Sequence, residues 1–118
     1  MEGVSTMKQK KLVVHFGAGA LGRGLVVPML YDSGCRIVLA DTNPMLIEKM
    51  KDAKSYTLDV SDDEQQRLHT IKIEDIVSPV TDEAMLLAYL HICDAVTTSV
   101  RRENLIHVAK VLAMAWGT

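Results

Sequence analysis

The chain has 118 residues, of which 48% are hydrophobic and 24% are charged, and this composition predicts a single domain around one ordinary core. Thirteen Lys and Arg against fifteen Asp and Glu give a formal net charge of −2, so nothing indicates binding to nucleic acid or to an anionic membrane. Because the sequence has neither an apolar stretch of ~20 residues nor the pattern of a secretory signal, we expect a soluble cytoplasmic protein.

The chain begins with an expected flexible lead over residues 1–10. The short apolar run Lys11–Phe16 then predicts a buried parallel strand. From Ala20 onward, apolar residues recur at helical spacing and Gly34 supplies a stop. Pro28 lies inside this helix and removes one backbone donor, which predicts a kink or an early end near Val27.

A second strand and helix follow, and then a hairpin. Arg36–Ala40 is another apolar run, and the turn and capping residues behind it introduce a helix over Pro44–Lys51. Ser55–Val60 and Arg67–Ile73 are β-prone runs on either side of the acidic turn Ser61–Glu64, which predicts an antiparallel pair.

The last third continues the alternation. Thr81–Leu90 predicts a short helix with Thr81 or Asp82 near its cap, Ile92–Val100 a strand, and Glu103–Trp116 a final helix. This order is typical of an α/β fold whose doubly wound, mostly parallel sheet has helices on both faces, here with a β-hairpin insertion.

A GxGxxG pattern stands where the first strand is expected to meet the first helix. Gly17 permits the tight turn, Gly19 lets backbone approach a diphosphate, and Gly22 allows the helix to pack closely on the strand. The N–H groups of the first helical turn then form an anion site without any basic side chain. The pattern and its position predict a Rossmann-type, dinucleotide-binding domain over residues 11–118.

Asp41 supports this interpretation, since it ends the second strand 24 residues after Gly17 and 19 after Gly22. A carboxylate there binds ribose hydroxyls and repels a 2′-phosphate, which favours NAD over NADP unless Arg36 or Lys49 folds across. The alternative role for Asp41 is a helix N-cap, which it could fill at the same time. Flavin-binding and methyltransferase domains fit less well: the first group usually has Glu at the acid position, and the second an acid where His15 stands.

The run from His15 to Gly24 is more specific than the generic fingerprint, and it resembles the N-terminal motif of the mannitol-1-phosphate 5-dehydrogenases, a group within the polyol-specific long-chain dehydrogenase, or mannitol dehydrogenase, family. Ala40–Asn43, Ser55–Val60 and the Thr-Thr segment in Asp94–Val100 extend the similarity over nearly the whole chain. Ala20, where relatives often have Asn, and Arg101 with Arg102, where a Gly-Pro is common, depart from it.

The resemblance implies contacts with the NAD(H) cofactor in three segments. The first segment wraps the adenine-side diphosphate, Asp41 in the second holds the adenosine ribose, and the third lies near the nicotinamide-side ribose. The implied residues are Val13, Val14, His15, Phe16, Gly17, Ala18, Gly19, Ala20, Leu21, Gly22, Arg23 and Gly24; Asp41, Thr42 and Asn43; and Thr97, Thr98, Ser99 and Val100.

The resemblance also implies hydride transfer between mannitol 1-phosphate and fructose 6-phosphate. In the family, the catalytic lysine with its Asn and His partners belongs to a C-terminal substrate domain, which we expect to be absent from this chain. We therefore assign no catalytic residue, and we expect a fragment that binds cofactor but is inactive alone and meets the polyol phosphate only together with that domain. The alternative is a free-standing Rossmann module that senses a nucleotide.

Other polar residues are weaker candidates. His15, His69, His91 and His107 lack a partner spacing that would imply a catalytic relay. The acidic run around Asp59, Asp62, Asp63 and Glu64 lacks the pattern of a calcium loop, and Cys35 and Cys93 form no zinc motif, so we expect no metal site and reduced, buried thiols. Arg23 either reaches a phosphate or is a solvated helix residue. A face left open by a missing domain, with Leu112, Met114 and Trp116, would favour self-association.

Overall fold

The computed structural model describes residues 10–61 and 64–117. The expected flexible lead therefore lies outside the described residues except for Lys10, and so do Asp62 and Asp63 of the acidic turn. In the described part, no helix has both the length and the apolar composition needed to cross a membrane.

The central sheet is parallel and has the strand order β5-β2-β1-β6. Its strands are β1 (Leu12–Phe16), β2 (Arg36–Ala40), β5 (Asp75–Val77) and β6 (Ala95–Thr98). A separate antiparallel pair consists of β3 (Ser55–Asp59) and β4 (Leu68–Lys72), with Thr57 opposite Thr70. The predicted hairpin insertion is present, and its register is now defined.

Four α-helices complete the order: α1 (Val27–Asp32), α2 (Pro44–Ala53), α3 (Glu83–Ile92) and α4 (Leu105–Trp116). A π-helical segment (Gly22–Val26) runs directly into α1, and a 3-10 turn (Arg102–Asn104) precedes α4. The predicted helix stop at Gly34 is confirmed, since this residue has a φ of +89°.

The sheet divides the core into two layers, as alternation along a strand requires. Val38 and Ala40 of β2 face the layer under α3 and α4, while Ile37 and Leu39 face the layer under α1, α2 and the hairpin. Each fully buried aliphatic side chain of this kind contributes about 1.5–3 kcal/mol to stability. Helices therefore cover both faces, and the α/β doubly wound architecture is confirmed.

Three predictions about the elements need correction. Residues Asp75–Val77 form a buried strand of the parallel sheet that was not predicted from the sequence. Three residues next to the hairpin are too few to show a hydrophobic periodicity. Ile92 ends α3 instead of starting a strand, since an apolar run by itself does not separate a helix end from a strand start. Of the two outcomes predicted for Pro28, the early end near Val27 is wrong, because the helix continues through Pro28 to Asp32 after a turn of π geometry.

Candidate functional site

A cleft of about 1110 Å³ opens at the carboxyl ends of the parallel strands. Ligands of open α/β sheets bind at this edge, where the strand order reverses. The cleft wall contains many of the residues expected to contact the cofactor: Phe16, Gly17, Gly19, Ala20, Leu21, Gly22, Asp41, Thr42, Ser99 and Val100.

The glycine turn has the geometry that its three glycines suggest. Gly17 adopts a φ of +107°, and its N–H donates to the carbonyl of Ala40 at 2.8 Å. A Cβ on Gly22 would lie 2.3 Å from the Gly17 carbonyl oxygen, so only glycine fits at this helix–turn contact. A Cβ on Gly19 would meet no protein atom within 4 Å, so the space beside this residue is open on the cleft side.

Asp41 joins the end of β2 to the glycine turn. Its Oδ2 accepts the N–H of Ala18 at 2.7 Å, and its Oδ1 accepts the N–H of Asn43 at 2.7 Å. The alternative role of Asp41 as the N-cap is not found, because the side chain of Asn43 caps α2 by accepting from the N–H groups of Met45 and Leu46. Each carboxylate oxygen retains a lone pair for a ligand hydroxyl.

A buried histidine connects β1 to the segment after β6. His15 has no exposed surface, and its Nδ1 and Nε2 lie 2.6 Å from Thr97 Oγ1 and 2.8 Å from Ser99 Oγ. Because Ser99 donates its hydroxyl proton to the Gly17 carbonyl at 3.2 Å, the network assigns the ring proton to Nε2 and lets Thr97 donate to Nδ1. Burial lowers the pKa of His15 to about 4, so the ring is neutral at pH 7.

A second hydrogen bond between distant segments fixes the helix that follows the glycine turn. The N–H of Val27 donates to Gly22, and Pro28 has no N–H, so the carbonyl of Arg23 is left without a helical partner. The Tyr56 hydroxyl of the hairpin donates to this carbonyl at 2.8 Å. Burial raises the pKa of Tyr56 to about 12, so it remains protonated and able to donate at neutral pH. The hairpin thereby satisfies the carbonyl group that Pro28 leaves unpaired.

The other implied cofactor contacts are not part of the cleft wall. Val13 and Val14 are buried in the sheet, Thr97 bonds to His15, and the N–H of Ala18 is occupied by Asp41. Arg23 is half-buried, and among the described side chains its Nε is buried without a hydrogen-bond partner. The complete set outside the wall is Val13, Val14, His15, Ala18, Arg23, Gly24, Asn43, Thr97 and Thr98.

The cleft is also lined by residues that were not predicted from the sequence as site residues. They come from the segment after β5 and from the segment that leads into α4: Pro79, Val80, Glu83, Arg101, Asn104, His107, Val108, Lys110, Val111 and Met114. The members on α4 recur every three or four residues, so a helical projection would have grouped them. Met114 belongs to this wall, Leu112 is partly buried against the core layer under α3 and α4, and Trp116 is half-exposed with its Nε1 bonded to the Leu90 carbonyl. Cys35 and Cys93 are free thiols and are only half-buried.

Comparison with known proteins gives a consistent result. Residues 11–117 match the family described as "Mannitol dehydrogenase Rossmann domain". Mannitol-1-phosphate 5-dehydrogenases are similar in sequence: the protein of Enterococcus faecalis is 31% identical over 85% of this chain, that of Oceanobacillus iheyensis 35% over 87%, and that of Pseudarthrobacter chlorophenolicus 37% over 85%. In each comparison, the matched segment covers 26% of the relative's length.

Proposed function

The chain belongs to the mannitol dehydrogenase family, whose Rossmann domain it forms, and on that premise we propose that it is the NAD-binding part of a mannitol-1-phosphate 5-dehydrogenase-like oxidoreductase. The observation that supports the proposal most directly is that the glycine turn and Asp41 follow the adjacent carboxyl ends of β1 and β2. A 2.7 Å hydrogen bond joins Ala18 to Asp41, and both Asp41 and the glycines on either side of Ala18 line one cleft.

The residues present fit a dinucleotide. The open space beside Gly19 admits a diphosphate against bare backbone, while the closed space at Gly22 keeps the helix N-terminus pressed onto the turn. These features support the diphosphate position without help from the chain's net charge.

We assign the adenosine ribose to Asp41, whose free lone pairs accept from the two ribose hydroxyls. The same carboxylate repels a 2′-phosphate, so NAD is preferred to NADP. Thr97 and His15 act from below the cleft by holding Ser99 and the Gly17 carbonyl in place. The nicotinamide half is assigned to the side of the cleft formed by Ser99 and Val100.

The reaction of the complete protein is part of the proposal, because the chain spans only 26% of the length of the relatives cited above. When bound, NAD would supply the hydride acceptor for the oxidation of mannitol 1-phosphate to fructose 6-phosphate, while the hydroxyl proton of the substrate would pass to a base. By resemblance, that base is a lysine in the unmatched part of the relatives. This chain supplies cofactor binding and orientation.

The experiment that tests the proposal is a calorimetric titration of the chain with NAD and with NADP. We expect NAD to bind more tightly than NADP, and the substitution Asp41→Ala to weaken NAD binding by ~1–3 kcal/mol. Asp52→Ala is the matched control, because Asp52 is an exposed carboxylate on α2 away from the cleft wall.

Circular dichroism must accompany the titrations, since Asp41→Ala also frees the N–H groups of Ala18 and Asn43. A folded wild-type chain that binds neither nucleotide would contradict the proposal. So would an Asp41→Ala variant that keeps wild-type affinity for NAD.

A further inference from the structure

The wall of the cleft beyond β6 presents a row of basic side chains. Arg101 lies just before the 3-10 turn, and His107 and Lys110 follow at a spacing of three residues on α4, which places them on one face of that helix. All three line the cleft and are exposed. We call Arg101, His107 and Lys110 the basic stripe.

The cleft is electrically polarised as a consequence of the strand order. Its acidic members, Asp41 and Glu83, come from segments after β2 and β5, whereas the basic stripe comes after β6. The glycine turn after β1 lies between them, because the order of the sheet is β5-β2-β1-β6. Within the described part of the chain, Arg101 and Lys110 form no salt bridge, so their charges are available to a ligand.

A dinucleotide with its ribose at Asp41 and its diphosphate on the glycine turn directs its nicotinamide half toward β6, which is the side of the basic stripe. The glycine turn neutralises the diphosphate through backbone N–H groups, so it does not require these cations. A guanidinium and an ammonium facing one cleft bind phosphate oxygens well, the first as a fork and the second as a point charge.

We propose that the basic stripe is a second anion subsite, which binds a phosphate group on the nicotinamide side of the cleft. This inference rests on the proposed function, because that function sets the direction in which the dinucleotide lies. The phosphate has two possible sources: the sugar-phosphate substrate or the cofactor's own diphosphate. The first places the phosphate of the substrate within reach of this domain, although most of the substrate site belongs to another part of the relatives.

The test compares two double variants of the full chain. Arg101→Met with Lys110→Met removes both charges and keeps unbranched stems, while Arg102→Met with Lys49→Met removes two exposed charges outside the cleft wall. Each protein is titrated with inorganic phosphate, fructose 6-phosphate, fructose and NAD. Binding is followed by backbone amide chemical shifts, which report weak ligands and confirm the fold.

For a substrate phosphate, we expect the stripe variant to bind fructose 6-phosphate about tenfold more weakly than the control variant, with NAD affinity within about twofold and with fructose bound by neither. If the phosphate belongs to the cofactor, the stripe variant instead binds NAD about tenfold more weakly than the control variant, and this result also supports the subsite. If phosphate, fructose 6-phosphate and NAD each bind equally to the two variants, the inference is wrong. If NAD fails to bind the wild type, the proposed function falls, and the inorganic phosphate and sugar-phosphate titrations alone then decide whether the subsite exists.

Discussion

Three glycines of the turn and its helix should respond differently to the same added methyl group. Gly22→Ala puts a Cβ 2.3 Å from the Gly17 carbonyl oxygen and 2.7 Å from Ser99 Oγ. Gly19→Ala and Gly24→Ala meet no protein atom within 4 Å. Gly19 nevertheless lines the cleft and Gly24 does not, so the three substitutions separate packing, ligand binding and helix propensity.

The clash at Gly22 cannot be relieved without moving backbone. The Gly17 carbonyl is held by the Ser99 hydroxyl, and Gly17 itself has a φ of +107°, so the turn has to shift or the helix has to move away from it. Overpacking of this kind costs about 2–3 kcal/mol, which is a fall in Tm of roughly 10 °C for a domain of this size. Gly24→Ala should instead stabilise the fold by about 0.5–1 kcal/mol.

Gly19→Ala should leave Tm within about 2 °C of the wild type but weaken NAD binding at least about tenfold, because its methyl group occupies the space where the diphosphate would approach the backbone. Thermal unfolding by circular dichroism and calorimetric titration with NAD measure the two effects on the same three variants. Gly24→Ala serves as the control for both measurements.

The reasoning would be refuted by a Gly22→Ala variant as stable as the wild type, since the 2.3 Å approach would then be relieved at no cost. It would also be refuted if Gly19→Ala bound NAD with unchanged affinity. Equal losses of stability in Gly19→Ala and Gly22→Ala would show that both glycines serve backbone geometry alone.

Two further predictions concern the hydrogen bonds of His15 and Tyr56. Because the pKa of His15 is about 4 in the folded chain and 6.5 unfolded, the unfolded chain takes up its proton first as pH falls, and about 2 kcal/mol of stability is lost between pH 7 and pH 5. Urea unfolding at the two pH values measures this loss of stability, and we expect the His15 contribution to be absent in the His15→Gln variant. A variant that loses as much stability as the wild type would exclude His15 as the source. Tyr56→Phe should cost about 1–2 kcal/mol by leaving the Arg23 carbonyl unpaired, and less in a Pro28→Ala background, where residue 28 has an N–H. Additive effects in that double-mutant cycle would contradict the shared role.

Much of the fold was predictable because its signals are local. The apolar run of β1 leads into Gly17, and β2 is followed directly by Asp41 and then by an Asn-Pro cap, so the signals for strand, turn and helix lie within about thirty residues. The same short-range pattern predicted the glycine turn and the acid in the correct relation to the two strand ends. The hairpin was predictable for a similar reason, since both of its strands adjoin one turn.

Other features depend on contacts between residues that are remote in sequence. The His15 bond to Ser99 spans 84 positions, and the Tyr56 bond to Arg23 spans 33. The short strand β5 is held by its pairing with β2 and has no period that would reveal it. None of these pairings is encoded in the neighbourhood of either partner.

The sequence by itself therefore determined the alternation of elements, the glycine turn and the acid that follows β2. Only the tertiary structure decided that β1 lies between β2 and β6, that Asp41 bonds to the turn rather than capping α2, and that Lys110 faces the cleft. The physical reason is that local backbone preferences act over one or two turns of chain, whereas strand order and the facing of side chains follow from burying both faces of one sheet at once.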